Sequence, residues 1–65
     1  MGTGLYPKLT ELLLAAGCQF ERQGKGSHEI WSSPITRKKF SVPYTVVSSH
    51  TANGILKLAG LPKYF

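Results

Sequence analysis

Two stretches of the chain repeat apolar residues at helical spacing, and three shorter stretches between them alternate. Over residues 5–16, Leu9, Leu12, Leu13 and Ala16 fall at i, i+3, i+4 and i+7, which places them on one face of a helix. Pro7 sits in the first turn, where its missing N–H costs no hydrogen bond. Gly17 follows as the residue on which the helix closes. A second helix opens at Ser49 or His50, sets Ala52, Ile55, Leu56 and Ala59 at the same spacing, and ends at Gly60 and Pro62. Gly54 in its interior costs about 1 kcal/mol relative to alanine, so this helix depends on packing.

The alternating stretches read as half-buried strands. Residues 18–23 put Cys18, Phe20 and Arg22 on one side and Gln19, Glu21 and Gln23 on the other. Gly24, Lys25 and Gly26 make a turn. Residues 27–32 then offer His28 and Ile30 to one face and Glu29 and Trp31 to the other, until Ser33 and Pro34 stop the run. In residues 38–42, Phe40 and Val42 share a face, and residues 43–49 read as a loop. Short connections favour antiparallel neighbours. The expected fold is therefore α+β in the order α-β-β-β-α, a three-stranded antiparallel sheet with two helices on one face and the other face open.

Sixty-five residues hold one domain, 1–65, because a chain this short buries too little surface for two cores. At 42% hydrophobic residues it is too apolar for a disordered tail. Eight Lys and Arg against three acidic residues give a net charge of +5, which suits a phosphate-rich partner. The basic residues form three groups: Arg22 with Lys25, then Arg37 with Lys38 and Lys39, then Lys57. Cys18 is the only cysteine, so no internal disulfide forms, a buried inert thiol is expected, and a reducing compartment fits. No signal-peptide pattern and no apolar run of about 20 residues is found, so the expectation is a soluble cytoplasmic protein with no membrane partner.

Lys25-Gly26-Ser27-His28 carries the most chemistry. It sets a cationic, N–H-rich turn directly before a side chain that titrates near neutral pH. RNA phosphodiester cleavage needs a base for the 2′-hydroxyl, an acid for the leaving oxygen, and positive charge on the phosphate. His28 supplies the first or second, and Lys25 with the turn N–H groups of Gly26 and Ser27 supplies the third. Arg22, Lys38, Lys39 and Lys57 are candidate RNA contacts. His50 either shares acid and base work with His28 or is an ordinary helix-start residue beside Thr51 and Asn53. Two histidines and three glutamates show no metal-ligand spacing, so neither metal nor cofactor is expected. Trp31 is a core residue, an interface anchor or, if exposed on the open face, a base-stacking platform.

Taken in order, these pieces resemble the HicA toxins, mRNA interferases of type II toxin–antitoxin modules that act without the ribosome. The resemblance runs nearly end to end. It includes the helix end Ala15-Ala16-Gly17, the strand Phe20-Glu21-Arg22-Gln23, the turn Gly26-Ser27-His28 with Trp31 beyond it, the strand end Val42-Pro43, and the closing Ile55-Leu56-Lys57-Leu58-Ala59-Gly60-Leu61. It implies a fold like the double-stranded-RNA-binding domain, a catalytic histidine at His28, metal-independent endoribonuclease activity on mRNA, and a HicB-like antitoxin that covers His28. Two stretches depart from the family pattern. Residues 44–49 are less basic than usual, and His50-Thr51-Ala52-Asn53 stands where a glycine-threonine start is frequent. Two rival readings are a non-catalytic RNA-binding module of the same fold and a protein whose Trp31 face only binds a partner.

Overall fold

The computed structural model describes residues 4–65, so the expected domain 1–65 includes three residues that lie outside the described ones. Five elements follow one another: α1 (Tyr6–Ala15), β1 (Gln19–Gln23), β2 (His28–Ser32), β3 (Lys39–Pro43) and α2 (Ser49–Leu58). The strands form one antiparallel sheet in the order β1-β2-β3, which is the expected α+β arrangement.

Each helix forms where its apolar stripe can be buried. In α1, Leu9 and Leu13 are fully buried, while Leu12 and Ala16 pack against the core from its edge. Pro7 stands in the first turn, and the helix gives way to Gly17 at a φ of +91°. In α2, Ala52, Ile55 and Leu56 are buried, with Ala59 just beyond them. Its N-cap is Ser48, whose hydroxyl accepts from the Thr51 N–H at 3.4 Å. These side chains meet Trp31, Phe40 and Val42 from the sheet in one cluster with Cys18 and Val46. Burying side chains such as Leu9, Leu13 and Leu56 contributes about 1.5–3 kcal/mol each. Both helices therefore lie on the sheet face that carries Trp31, Phe40 and Val42, and the opposite face stays open.

The β2–β3 connection is fastened to the end of α2. The buried Ser33 hydroxyl donates to the Ala59 carbonyl at 2.7 Å and accepts from the Ile35 N–H at 3.1 Å. Thr36 donates to the Leu58 carbonyl at 3.1 Å. One small polar residue thus closes a loop and satisfies a helix-end carbonyl that has no partner within the helix.

The sheet departs from simple alternation in β1. Phe20 pairs with Trp31 and Arg22 with Ile30, so two steps on β1 face one step on β2. This is a β-bulge at Glu21, and the extra residue resets which side the following side chain takes. The expectation that Phe20 and Arg22 share a side is therefore corrected. Phe20 turns to the helix side, its ring edge-on to Trp31 with centroids 6.1 Å apart, and Arg22 stands opposite Ile30 on the open face.

Candidate active site

The open face is assembled around Ile30. Along β2 its neighbours on the same face are His28 and Ser32, because side chains two residues apart point the same way. Across the pairings it faces Arg22 on β1 and Ser41 on β3. Lys39 extends the face opposite Ser32, and Pro43 extends it opposite His28. His28, Arg22, Lys39 and Ser41 are all exposed.

His28 is held from two directions. Its backbone closes the preceding turn: its N–H donates to the Lys25 carbonyl at 3.0 Å, and its carbonyl accepts from the Gly24 N–H at 2.8 Å. Gln23 reinforces the bend, its side-chain amide donating to the carbonyls of Gly26 and His28 at 3.2 Å each. Gly26 takes a φ of +56° at the first central position of this turn, a backbone state that glycine adopts without a Cβ penalty. Its ring is held by Ser41, whose Oγ lies 2.9 Å from Nδ1. Among the described residues Nε2 has no protein hydrogen-bond partner, and the residue as a whole is exposed.

The turn itself offers main-chain donors that no protein group uses. Among the described residues no backbone bond occupies the N–H of Lys25, Gly26 or Ser27, so three successive donors are free beside an exposed lysine. The Ser27 carbonyl accepts from the Tyr44 N–H at 2.9 Å, which ties the turn to the chain leaving β3. The carboxylates stand away from His28. Glu21 accepts a short hydrogen bond from the Ser32 hydroxyl, and Ser32 lies four residues along β2, roughly 13 Å from His28 at about 3.3 Å per residue. Glu29 points to the helix side, where one oxygen accepts from the Tyr6 hydroxyl at 2.7 Å and from the Trp31 indole N–H at 3.0 Å. Burial, then the hydrogen bond to Glu29 and its charge, push the Tyr6 phenol up to about 12.

The structure brings Arg22, Lys25, Gly26, Ser27 and His28 to one face and its adjoining turn, and Lys39 shares that face at its far end, opposite Ser32. Lys38 precedes β3 at the end of the sheet away from His28, and its carbonyl accepts from the Ser33 N–H at 3.0 Å. Lys57 and His50 are placed elsewhere: they line a cavity on α2 with Asn53, Gly54, Leu61 and Lys63, on the helix layer and not on the open sheet face. Among the described residues no hydrogen bond joins His50 to His28. Trp31 is only 4% exposed and lies under the helices, so it offers neither a stacking platform nor a partner-binding face. Among the described residues no three His, Cys, Asp or Glu side chains are grouped to hold a metal ion, and no helix is long and apolar enough to cross a membrane. Ser41 was not singled out by the sequence reading, although its alternation with Phe40 and Val42 marks it as facing the open side.

A comparison with protein families matches residues 6–61, the stretch from the first residue of α1 to just past α2, to the model described as the HicA toxin of bacterial toxin-antitoxin. No curated protein and no solved structure matches the chain.

Proposed function

Because the chain belongs to the HicA family of toxins from bacterial toxin–antitoxin systems, we propose that it is a cytoplasmic, metal-independent endoribonuclease that cuts mRNA with His28 as its catalytic residue. The observation that carries this reading is the setting of His28: Nδ1 is engaged by Ser41, Nε2 has no protein partner among the described residues, and the exposed side chain follows directly on a turn with unpaired N–H groups and a lysine.

In the proposed reaction Nε2 removes the proton of a ribose 2′-hydroxyl. The 2′-oxygen then bonds to phosphorus as the bond from phosphorus to the 5′-oxygen breaks; the departing 5′-oxygen takes a proton from water, and the proton held on Nε2 returns to solvent, which leaves a 2′,3′-cyclic phosphate and a 5′-hydroxyl. Lys25 and the N–H groups of Gly26 and Ser27 hold the phosphate oxygens, whose charge is best stabilised by donors already in place. Arg22 beside Ile30, Lys39 beside Ser32 further along the face, and Lys38 next to it position the strand. Each such contact releases counterions, so binding weakens steeply with salt.

A serine suits this task because a hydroxyl both accepts and donates. Ser41 can accept from Nδ1–H while Nε2 acts as base, and can donate to Nδ1 when Nε2 carries the proton. One imidazole is thereby supported in either tautomer, which favours a site with a single histidine over one that recruits His50.

The antitoxin is proposed to be a HicB-like protein that covers the open face and His28. Induction of the chain in a bacterial host should arrest growth, and the His28→Ala variant at equal abundance should not. Equal growth of the two cultures would overturn the reading. Retained RNA binding without cleavage by the parent chain would favour an RNA-binding module.

A further inference from the structure

We propose that the outer side of α2 carries a second binding site, a cavity for an organic phosphate such as a nucleotide unit. His50, Asn53, Gly54 and Lys57 from α2, with Leu61 and Lys63 from the segment after it, line a cavity of about 390 Å³. It lies on the helix layer, across the sheet from His28, and does not depend on any chemistry at that residue.

Charge is the first argument. The lining holds two ammonium groups and an imidazole and no carboxylate. The one ion pair among the described residues joins Lys8 to Glu11, so Lys57 and Lys63 have no acidic partner there. Lysine ammonium groups bind phosphate as point charges.

The second argument is that the rim is fixed. Asn53 clamps the chain that follows Lys63: its amide nitrogen donates to a main-chain oxygen of Phe65 at 3.0 Å, and its oxygen accepts from the N–H groups of Tyr64 at 3.1 Å and Phe65 at 3.0 Å. The Leu61 N–H donates to the Leu56 carbonyl at 2.8 Å. The backbone bearing Lys63 is thus fastened on both sides to the helix that bears Lys57.

Gly54 is the third. A glycine inside a helix lowers its stability, and here neither packing nor backbone geometry requires one. A Cβ built at Gly54 meets nothing within 4 Å, and its φ is not among the positive values. Gly54 is exposed and is part of the lining, so its missing side chain leaves helix backbone open to a ligand there, a use of glycine expected where a ligand approaches the main chain closely. The volume falls in the lower part of the range for small-molecule sites, about 300–1,000 Å³. The lysines take a phosphate, and Leu61 borders an apolar part of the same molecule.

The test uses the full chain carrying His28→Ala, so that no cleavage alters the ligands. In 15N-labelled protein, adenosine 5′-monophosphate should shift the amides of Gly54, Lys57 and Lys63 saturably, and adenosine should not. Lys57→Gln and Lys63→Gln should each weaken binding about tenfold, as expected for loss of a charge-assisted contact. Gly54→Ala should raise Tm by about 4–8 °C and yet weaken binding at least about fivefold. A loss of affinity in a more stable protein is not a folding effect. If the lysine variants also weaken binding of a short RNA, the nucleotide belongs to a strand; if they do not, the occupant is a free nucleotide. Absence of saturable shifts, equal shifts with adenosine, a response to a glutamate-rich peptide alone, or unchanged affinity in Gly54→Ala would overturn the proposal.

Discussion

The Nδ1 atom of His28 and the hydroxyl oxygen of Ser41 lie 2.9 Å apart, diagonally across the pairing of β2 with β3. Antiparallel register brings them together, since Ser41 is the direct partner of Ile30, two residues from His28 and on the same face. This bond constrains the plane of the ring and leaves Nε2 as the nitrogen without a protein partner among the described residues.

If Ser41 positions His28, Ser41→Ala should lower kcat for RNA cleavage about tenfold, the worth of one good hydrogen bond, with KM little changed. Ser41→Thr keeps the hydroxyl and should recover most of the rate. Both variants should melt close to the parent, because residue 41 is exposed. Equal rates for the alanine and threonine variants would remove Ser41 from the role.

The Tyr6–Glu29–Trp31 cluster predicts a pH dependence of stability at the alkaline end. The Tyr6 phenol is raised from 10.0 to about 12 in the folded chain, so the folded state holds its proton more tightly than the unfolded state does. Its contribution is complete below pH 10 and is lost as pH rises through 12. The urea midpoint should therefore fall across that window, and fall less in Tyr6→Phe. At neutral pH the same substitution should cost about 1 kcal/mol through the lost bond to Glu29. An identical alkaline slope in both proteins would contradict the assignment.

Arg37 predicts a stabilising substitution. Among the described residues it is the non-glycine residue with a positive φ, +58°, a region that strains most side chains and that asparagine tolerates better. Arg37→Asn should stabilise by about 0.5–1 kcal/mol, raising Tm by roughly 2–8 °C. The kcat for cleavage should be unchanged, because the loop before β3 lies at the opposite end of the sheet from His28, while KM should rise modestly, because Arg37 adjoins Lys38 and Lys39. A lowered Tm, or a lost activity, would show that the guanidinium has a use in place.

Much of the fold was legible because its two helices carry clean apolar stripes and its strands alternate. Leu9 with Leu13 and Ile55 with Leu56 announce their buried faces locally, and Phe40 and Val42 do the same in β3. The bulge at Glu21 was not legible. Whether a strand carries an extra residue is decided by pairing with its neighbour, and nothing in Phe20-Glu21-Arg22 marks it. Glu29 likewise reads as a surface residue beside His28 until the fold brings Tyr6 from α1 and the Trp31 indole to one of its oxygens. Within the candidate site, His28 and its glycine turn were visible as a continuous stretch. Ser41 depends on register, thirteen residues away, and Lys63 depends on the clamp that Asn53 puts on the chain after α2.

The most direct test of the account is cleavage of a defined RNA by the purified chain in excess chelator, compared with His28→Ala. The account predicts new 5′-hydroxyl ends with the parent chain and a rate for His28→Ala lower by at least about a hundredfold, the scale of a positioned acid–base group. Cleavage by His28→Ala at the parent rate, or intact RNA with both proteins, would contradict it.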